Sequence, residues 1–352
     1  MNDDRRFPNL FWPVLLIGVG VLFFMSNLGM IEPIDPRILW RLWPVFLVII
    51  GINLLFGRTN RILASLISAG LALSVIAFLI FAPTVLDSLP TPEMVTESFE
   101  APLDGAESAE IQLDFDRGNI TLSELSSGTN LFEAVVRHNE KATFRSSGAS
   151  RQTVRLTLND VGAIQFGNWF ADQQVSAEVG LAAGIPLDLN IDIGGGNAEL
   201  DLTSLEIVDL NANSGSGSLE VFLPGGGYPV SLGSGSGSIS VETALGSELE
   251  LKADVGSGRI TIRIADGCFG EVDLDSGSGG ITVIVPEGMA VRVRGETGSG
   301  GVNLPSSFNR IAGDEGVVGD SGTWETPGFA QAEEQLFINF SVGSGSLRVQ
   351  YP

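Results

Sequence analysis

The first 86 residues contain three long apolar stretches with few polar interruptions. They cover residues 10–31, 38–56 and 62–86. Each stretch is long enough to cross about 30 Å of hydrocarbon as a helix. The pattern therefore predicts three transmembrane helices. A cleaved signal peptide fits less well, because the first stretch is longer than a typical signal sequence core and two more stretches follow it.

Apolar and polar residues alternate along most of the remaining chain, in units of a strand, a glycine-rich turn and a second strand. The unit recurs about every 21 residues, which is typical of a solenoid, and the alternation places one side of each strand in a core. An outlying first unit is predicted at Asp114–Leu122. We therefore expect an all-β, β-helix-like parallel β-solenoid of eight rungs. The last glycines of the repeated turns are Gly196, Gly217, Gly237, Gly258, Gly279, Gly300 and Gly345.

The pattern divides the chain into a membrane region over residues 1–86, a linker over 87–110 and a solenoid over 111–352. Two insertions, about 123–186 and 305–335, interrupt the repeat, and such insertions often form binding loops. They carry four aromatic candidates for contact with a partner or ligand. The alternative is that these rings cap an end of the solenoid. The four residues are Trp169, Phe170, Trp324 and Phe329.

Charge is distributed unevenly between the two parts of the chain. The net charge is −23, with six arginines and four acids before residue 87, and 13 basic and 38 acidic residues after it. An acidic chain of this kind is unsuited to nucleic acid. The basic pairs Arg5–Arg6 and Arg58–Arg61 flank the predicted spans and favour the cytoplasm. We expect a multi-pass protein of the cell membrane, in contact with lipid, with a cytoplasmic N-terminus and an extracytoplasmic acidic domain.

The third predicted span carries small residues at a spacing that lets another helix approach closely. They are Ser65, Ala69, Gly70 and Ser74. This face indicates contact with another membrane protein, or packing against the first or second span of the same chain.

The sequence offers little material for catalysis. Cys268 and His138 are single residues of their types, too few for a multi-cysteine or multi-histidine metal site. The glycine turns lack the Lys-Ser/Thr of a phosphate-binding loop, and a strand follows each of them instead of a helix. We predict a protein without enzymatic activity, cofactor or metal, whose glycines serve as structural corners.

Two motifs resemble a known bacterial family. Trp12-Pro13-Val14 and Trp43-Pro44-Val45 repeat within similar apolar runs, as in the LiaI–LiaF-type (DUF5668-like) transmembrane region. The stretch from Gly184 to Gly196 resembles the C-terminal domain of LiaF-like proteins, and the glycine-punctuated units resemble the adhesin-like toastrack domain (DUF4097-like). The resemblance implies a role in the cell envelope stress response, restraining a sensor histidine kinase. The alternative is a surface adhesin or a module that binds envelope polysaccharide.

Overall fold

The computed structural model describes residues 94–352, except 127, 160–174 and 314–318, and a few positions before them. The early positions are helical: Leu16–Gly18, Gly20, Val21, Phe24, Gly70, Ser74 and Ala77. The predicted spans over 10–31, 38–56 and 62–86 otherwise lie outside the described residues. Within the described part of the chain, none of the helical residues belongs to a helix long and apolar enough to cross a bilayer.

The described part of residues 94–352 is almost entirely β-structure, as the alternating pattern predicted. Strand β1 lies inside the segment expected to be a linker. A short 3-10 turn, Phe329–Gln331, separates β17 from β18. The strands are β1 (Val95–Pro102), β2 (Ser108–Phe115), β3 (Asn119–Glu124), β4 (Asn130–His138), β5 (Lys141–Gly148), β6 (Arg151–Asn159), β7 (Ser176–Leu181), β8 (Pro186–Ile193), β9 (Ala198–Asp201), β10 (Glu206–Phe222), β11 (Gly227–Glu242), β12 (Glu248–Arg263), β13 (Phe269–Ile284), β14 (Val291–Ser299), β15 (Val302–Asn303), β16 (Asn309–Ala312), β17 (Ser321–Glu325), β18 (Leu336–Ser344) and β19 (Leu347–Gln350).

The repeated rungs bend at their glycine turns, and the halves before and after the bends stack into two sheets. The leading sheet, formed before the bend, has the order β5-β6-β2-β8-β10-β11-β12-β13-β18-β14-β17-β16. The trailing sheet, formed after it, has the order β1-β4-β7-β3-β9-β10-β11-β12-β13-β19-β15. Alternate side chains of both sheets point inward into one core. Leu251 and Ile260, on either side of one bend, are 2% and 0% exposed.

The order of the rungs in space differs from their order along the chain. Nine parallel rungs are formed by the described residues, against eight expected. The extra rung is β6–β7, which comes from the predicted insertion 123–186 and lies outside β2–β3. It escaped the repeat pattern because the sequence between β6 and β7 has no Gly-x-Gly motif, and Val175 lies beside Gly118, where the other rungs have glycine.

The second insertion also contributes strands. Residues 305–335 include β16 and β17, which pair antiparallel with each other and with β14. The last rung, β18–β19, then returns to lie between β13 and β14–β15. Gly345 is accordingly stacked between Gly279 and Gly300.

The glycine column explains why the bends tolerate no side chain. Gly258 has a φ of 154°, and a Cβ added to it would overlap the carbonyl oxygen of Gly237 in the next rung. The backbones of neighbouring rungs are therefore in direct contact at the bend. Glycine satisfies both demands, because it allows positive φ and leaves room for the adjacent carbonyl group.

Candidate interaction surfaces

The C-terminal end of the leading sheet is closed by aromatic packing. Trp324 on β17 and Phe329 in the 3-10 turn are only 7% and 2% exposed. Trp324 lies 6.4 Å from the ring of Phe340, and Phe329 meets Phe337 edge to face at 5.4 Å. The guanidinium of Arg292 covers Phe329 at 4.4 Å. The burial of Trp324 and Phe329 agrees with the alternative of capping, and their contact with a partner or ligand stays a prediction.

The other two aromatic candidates, Trp169 and Phe170, lie outside the described residues. The helix face predicted from Ser65, Ala69, Gly70 and Ser74 is described at its last two positions. Both are helical, and the hydroxyl of Ser74 donates a hydrogen bond of 3.0 Å to the carbonyl oxygen of Gly70. Because this bond lies within one helical turn, it does not change the spacing of the two small residues that would allow another helix to approach closely.

The outer face of the leading sheet is acidic over its central rungs. Asp114 on β2 and Asp192 on β8 are direct neighbours in register. Burial, with the nearby carboxylates of Asp192 and Asp116, raises the pKa of Asp114, while Arg155 lowers it. A groove of about 580 Å³ runs along this face beside the glycine bends and reaches Asp254. We name this outer surface, from β2 to β13, the acidic face.

A second carboxylate ladder lies on the same face, farther from the bends. Asp188 on β8 is opposite Glu110 and Asp209 on its two neighbouring strands. Burial and then these two carboxylates raise the pKa of Asp188, against the effect of Arg151 at 3.0 Å. Arg151 also reaches Glu110 at 3.4 Å. The repeat therefore stacks like charges along the solenoid, and Arg151 partly neutralises this ladder.

A buried polar cluster fixes the end at which the chain joins the solenoid. The Nδ1 of His138 donates to the carbonyl oxygen of Glu140 at 3.0 Å, since that oxygen can only accept. The Glu140 carboxylate pairs with the Nε of Arg117 at 2.5 Å, and the His138 Nε2 lies 3.7 Å from the Glu97 carboxylate. These contacts connect β1, the turn between β4 and β5, and the bend between β2 and β3.

The outermost two strands of the leading sheet at this end form a basic hairpin, residues 141–159. It carries Lys141, Arg145, Arg151 and Arg155 and no acidic residue. The rings of Phe99, Phe132 and Phe144 pack behind it, with Phe144 within 5.3 and 5.8 Å of the other two. This run of basic residues is visible in the sequence as a charge pattern, but only the strand order shows that it lies at one end of the solenoid.

The described residues contain no group of three or more histidine, cysteine, aspartate or glutamate side chains arranged to hold a metal ion. Cys268 is buried in a return turn, where its thiol donates to the carbonyl oxygen of Ala244 at 3.1 Å. A small buried thiol with a backbone acceptor is typical of a structural cysteine.

Two solved structures align with this chain at low sequence identity. A candidate cell adhesion protein from Clostridium sporogenes is 16% identical, with a TM-score of 0.37 over 74% of this chain and 100% of that chain. A candidate adhesin from Bacteroides fragilis is 15% identical, with a TM-score of 0.36 over 74% of this chain and 99% of that chain. No protein with a curated description matches the chain.

Two family models match separate parts of the sequence. Residues 10–55 match the LiaI-LiaF-like transmembrane region, and residues 90–242 match the N-terminal domain of toast_rack, DUF2154. The first match covers the two Trp-Pro-Val motifs, and the second runs from just before β1 to the end of β11. The chain is therefore similar to a LiaI-LiaF-like transmembrane region in one part and to the N-terminal domain of toast_rack in another, which confirms the resemblance seen in its sequence.

Proposed function

We propose that this chain is a non-enzymatic, multi-pass membrane protein that regulates or scaffolds a membrane partner, such as a sensor histidine kinase of the cell envelope stress response. The observation that carries the proposal is the LiaI-LiaF-like transmembrane region preceding the toast_rack domain. In the proposed arrangement the N-terminus is cytoplasmic and the solenoid is extracytoplasmic.

The contact with the partner is proposed to lie in the third span. Small residues allow two helix backbones to approach closely, so that van der Waals contacts and interhelical hydrogen bonds can form. Gly70 and Ser74 are one helical turn apart and therefore lie on one face. Bulky side chains at these positions would hold a partner helix away.

The test is photo-crosslinking in intact membranes followed by affinity purification. The baits are the full-length protein, a version lacking Ser88–Pro352, and the double variant Gly70→Ile with Ser74→Ile. Ala72→Ile is the matched control, because two residues along a helix lead to the opposite face. Recovery of a histidine kinase with the first two baits and with the control, but not with the double variant, is the expected result. Equal recovery with all four baits would contradict the proposed contact face.

A second candidate function, a surface module for envelope polysaccharide, is favoured by the groove along the acidic face. Carboxylate and amide groups, from Asp114, Asn213 and Asp254 among others, line about 580 Å³. Such groups can hydrogen-bond to sugar hydroxyls. Asp254→Ala and Asn213→Ala in the full-length protein should then reduce retention on purified envelope polysaccharide. Undiminished retention would exclude the groove as the binding surface.

A further inference from the structure

We propose that the basic hairpin docks onto anionic lipid headgroups and holds one end of the solenoid against the bilayer. This inference rests on the proposed membrane anchor, and it does not depend on any protein partner.

The charge of the hairpin is opposite to that of its surroundings. Residues 141–159 carry four basic residues and no acidic one, although residues 87–352 carry 13 basic and 38 acidic residues in total. Nearly a third of the cations therefore lie in a segment of 19 residues. A local surface of this sign attracts anions, and an anionic bilayer is the largest anion that a membrane-anchored domain meets.

The cations of the hairpin differ in how far the protein neutralises them. Arg151 is paired with the carboxylates of Glu110 and Asp188. Among the described residues, Arg155 makes no ion pair of this kind: its Nε donates to the neutral amide oxygen of Gln112 at 2.6 Å, and Asp114 is its nearby carboxylate. Lys141 and Arg145 are exposed and make no ion pair with any described residue.

The pairing of β5 with β6 adds a second argument for an external anion. Arg145 lies directly opposite Arg155 in the antiparallel register. Both side chains point outward from these two neighbouring strands, and both are exposed. Like charges directly opposite one another destabilise a strand pair. An anion that contacts both guanidinium groups would remove this repulsion, and a phosphate oxygen is a good acceptor for such groups.

The hairpin lies at the end where the chain arrives from the predicted membrane region. Val95, the first residue of β1, is paired with His138, and Lys141 begins β5 three residues later. The third predicted span ends at residue 86, so eight residues lie between it and β1. An extended chain of this length reaches at most about 30 Å. In the proposed arrangement the start of β5 is therefore within reach of the bilayer surface.

The acidic face determines which part of the solenoid can approach the lipid. From β2 onward the same outer surface carries Glu110, Asp114, Asp188 and Asp192. An anionic bilayer repels these carboxylates, so a solenoid lying flat on its leading sheet is disfavoured. Docking through the hairpin alone keeps these carboxylates away from the bilayer, and the other end of the solenoid then points away from the membrane.

The experiment measures how close the hairpin lies to lipid headgroups in the full-length protein. A fluorophore on Ser147→Cys, in exposed strand β5, is quenched by spin labels on headgroups in nanodiscs. Gln350→Cys, exposed on β19 near the opposite end, is the distance reference, and the wild-type protein shows whether buried Cys268 takes up label. The discs contain phosphatidylcholine alone or with about 30% phosphatidylglycerol, an anionic lipid.

The test variant is Lys141→Glu with Arg145→Glu. Its matched control is Arg259→Glu with Arg348→Glu, which changes the charge equally at exposed positions several rungs away. Each cation near an anionic surface changes the ratio of docked to undocked molecules about five-fold. Neutralising two should lower the ratio about 30-fold, and reversing their charge at least as much.

The expected result is stronger quenching at position 147 in the anionic discs, lost in the test variant, retained in the control and weakened by salt. Equal quenching in both kinds of disc, or quenching that the test variant leaves unchanged, would overturn the docking proposal while leaving the anchor intact. Failure of the wild-type protein to remain with the discs would refute the membrane anchor and docking together. Loss of quenching in both charge variants would assign the effect to net charge and refute the hairpin as the docking surface.

Discussion

Replacing Gly258 with alanine should open the solenoid at its centre. The residue lies in the bend of β12, directly between Gly237 and Gly279 of the neighbouring rungs. An added Cβ would lie 2.7 Å from the carbonyl carbon of Gly237 and closer still to its oxygen. Real Cβ atoms essentially never approach other atoms within 3.0 Å. The backbone on one side of the bend must therefore move.

The cost has two parts. A residue with a side chain at this positive φ costs about 1–2 kcal/mol. Separation of the rungs weakens two or three ladder hydrogen bonds, at about 1 kcal/mol each. Together these give about 3–5 kcal/mol, or a fall in Tm on the order of 10–15 °C for a domain of this size.

Gly246→Ala is the matched control, because Gly246 also has a positive φ, of 65°, but has no atom within 4 Å of the added Cβ. This variant should lose only the stability that corresponds to placing a side chain at positive φ, and its Tm should fall by about 5 °C. Both variants are measured by scanning calorimetry of the full-length protein in detergent. If Gly258→Ala is no less stable than Gly246→Ala, backbone contact between rungs is not what requires glycine at the bend.

Three further changes test other parts of the structure. Arg292→Ala removes the 2.6 Å hydrogen bond to Glu325 and the guanidinium that covers the ring of Phe329. It should lower the free energy of unfolding by about 2–3 kcal/mol in denaturant titrations. Full rescue of stability by Arg292→Lys would contradict the role of the planar guanidinium. Trp324→Ala should cost about 3–5 kcal/mol, as for other buried tryptophans, and a neutral effect would show that the ring does not cap the core. Because the pKa of Asp114 is raised in the folded protein, its ionisation costs stability as the pH rises above 3.8, and Asp114→Asn should raise Tm near neutral pH but not well below pH 3.8. Solvent screening keeps that gain under about 1 kcal/mol, and an equal gain at both pH values would contradict its electrostatic origin.

The sequence was sufficient to predict the regular part of the fold. Strict alternation in β10 to β13 determines which side chains point inward, and a period of 20 or 21 residues brings their bends into register. The early rung at Asp114–Leu122 was also predicted correctly, because Gly118 and the strands around it repeat the same pattern.

The two ends were not predictable in the same way. The sequence between β6 and β7 has no Gly-x-Gly motif, and the last rung lies between β13 and β14 instead of beyond β14. Such pairings depend on packing between strands that are distant in sequence, and the local periodicity of the sequence does not predict them. Trp324 illustrates the consequence for the candidate site: its sequence position suggests an exposed loop, and its partner strands bury it.

The placement of the first rung has a mechanical consequence. A pull on the chain that precedes β1 first reaches β1, which pairs with β4 alone among the described strands and can be peeled away one hydrogen bond at a time. The pull then reaches β2, which is held by parallel neighbours on both sides, β6 and β8. Extraction of β2 along its own axis loads both ladders in shear, so that many hydrogen bonds must break together. Tension from the membrane would therefore detach β1 easily, but unfolding would stop at β2. Strand β2 thus acts as a mechanical clamp for the rest of the solenoid.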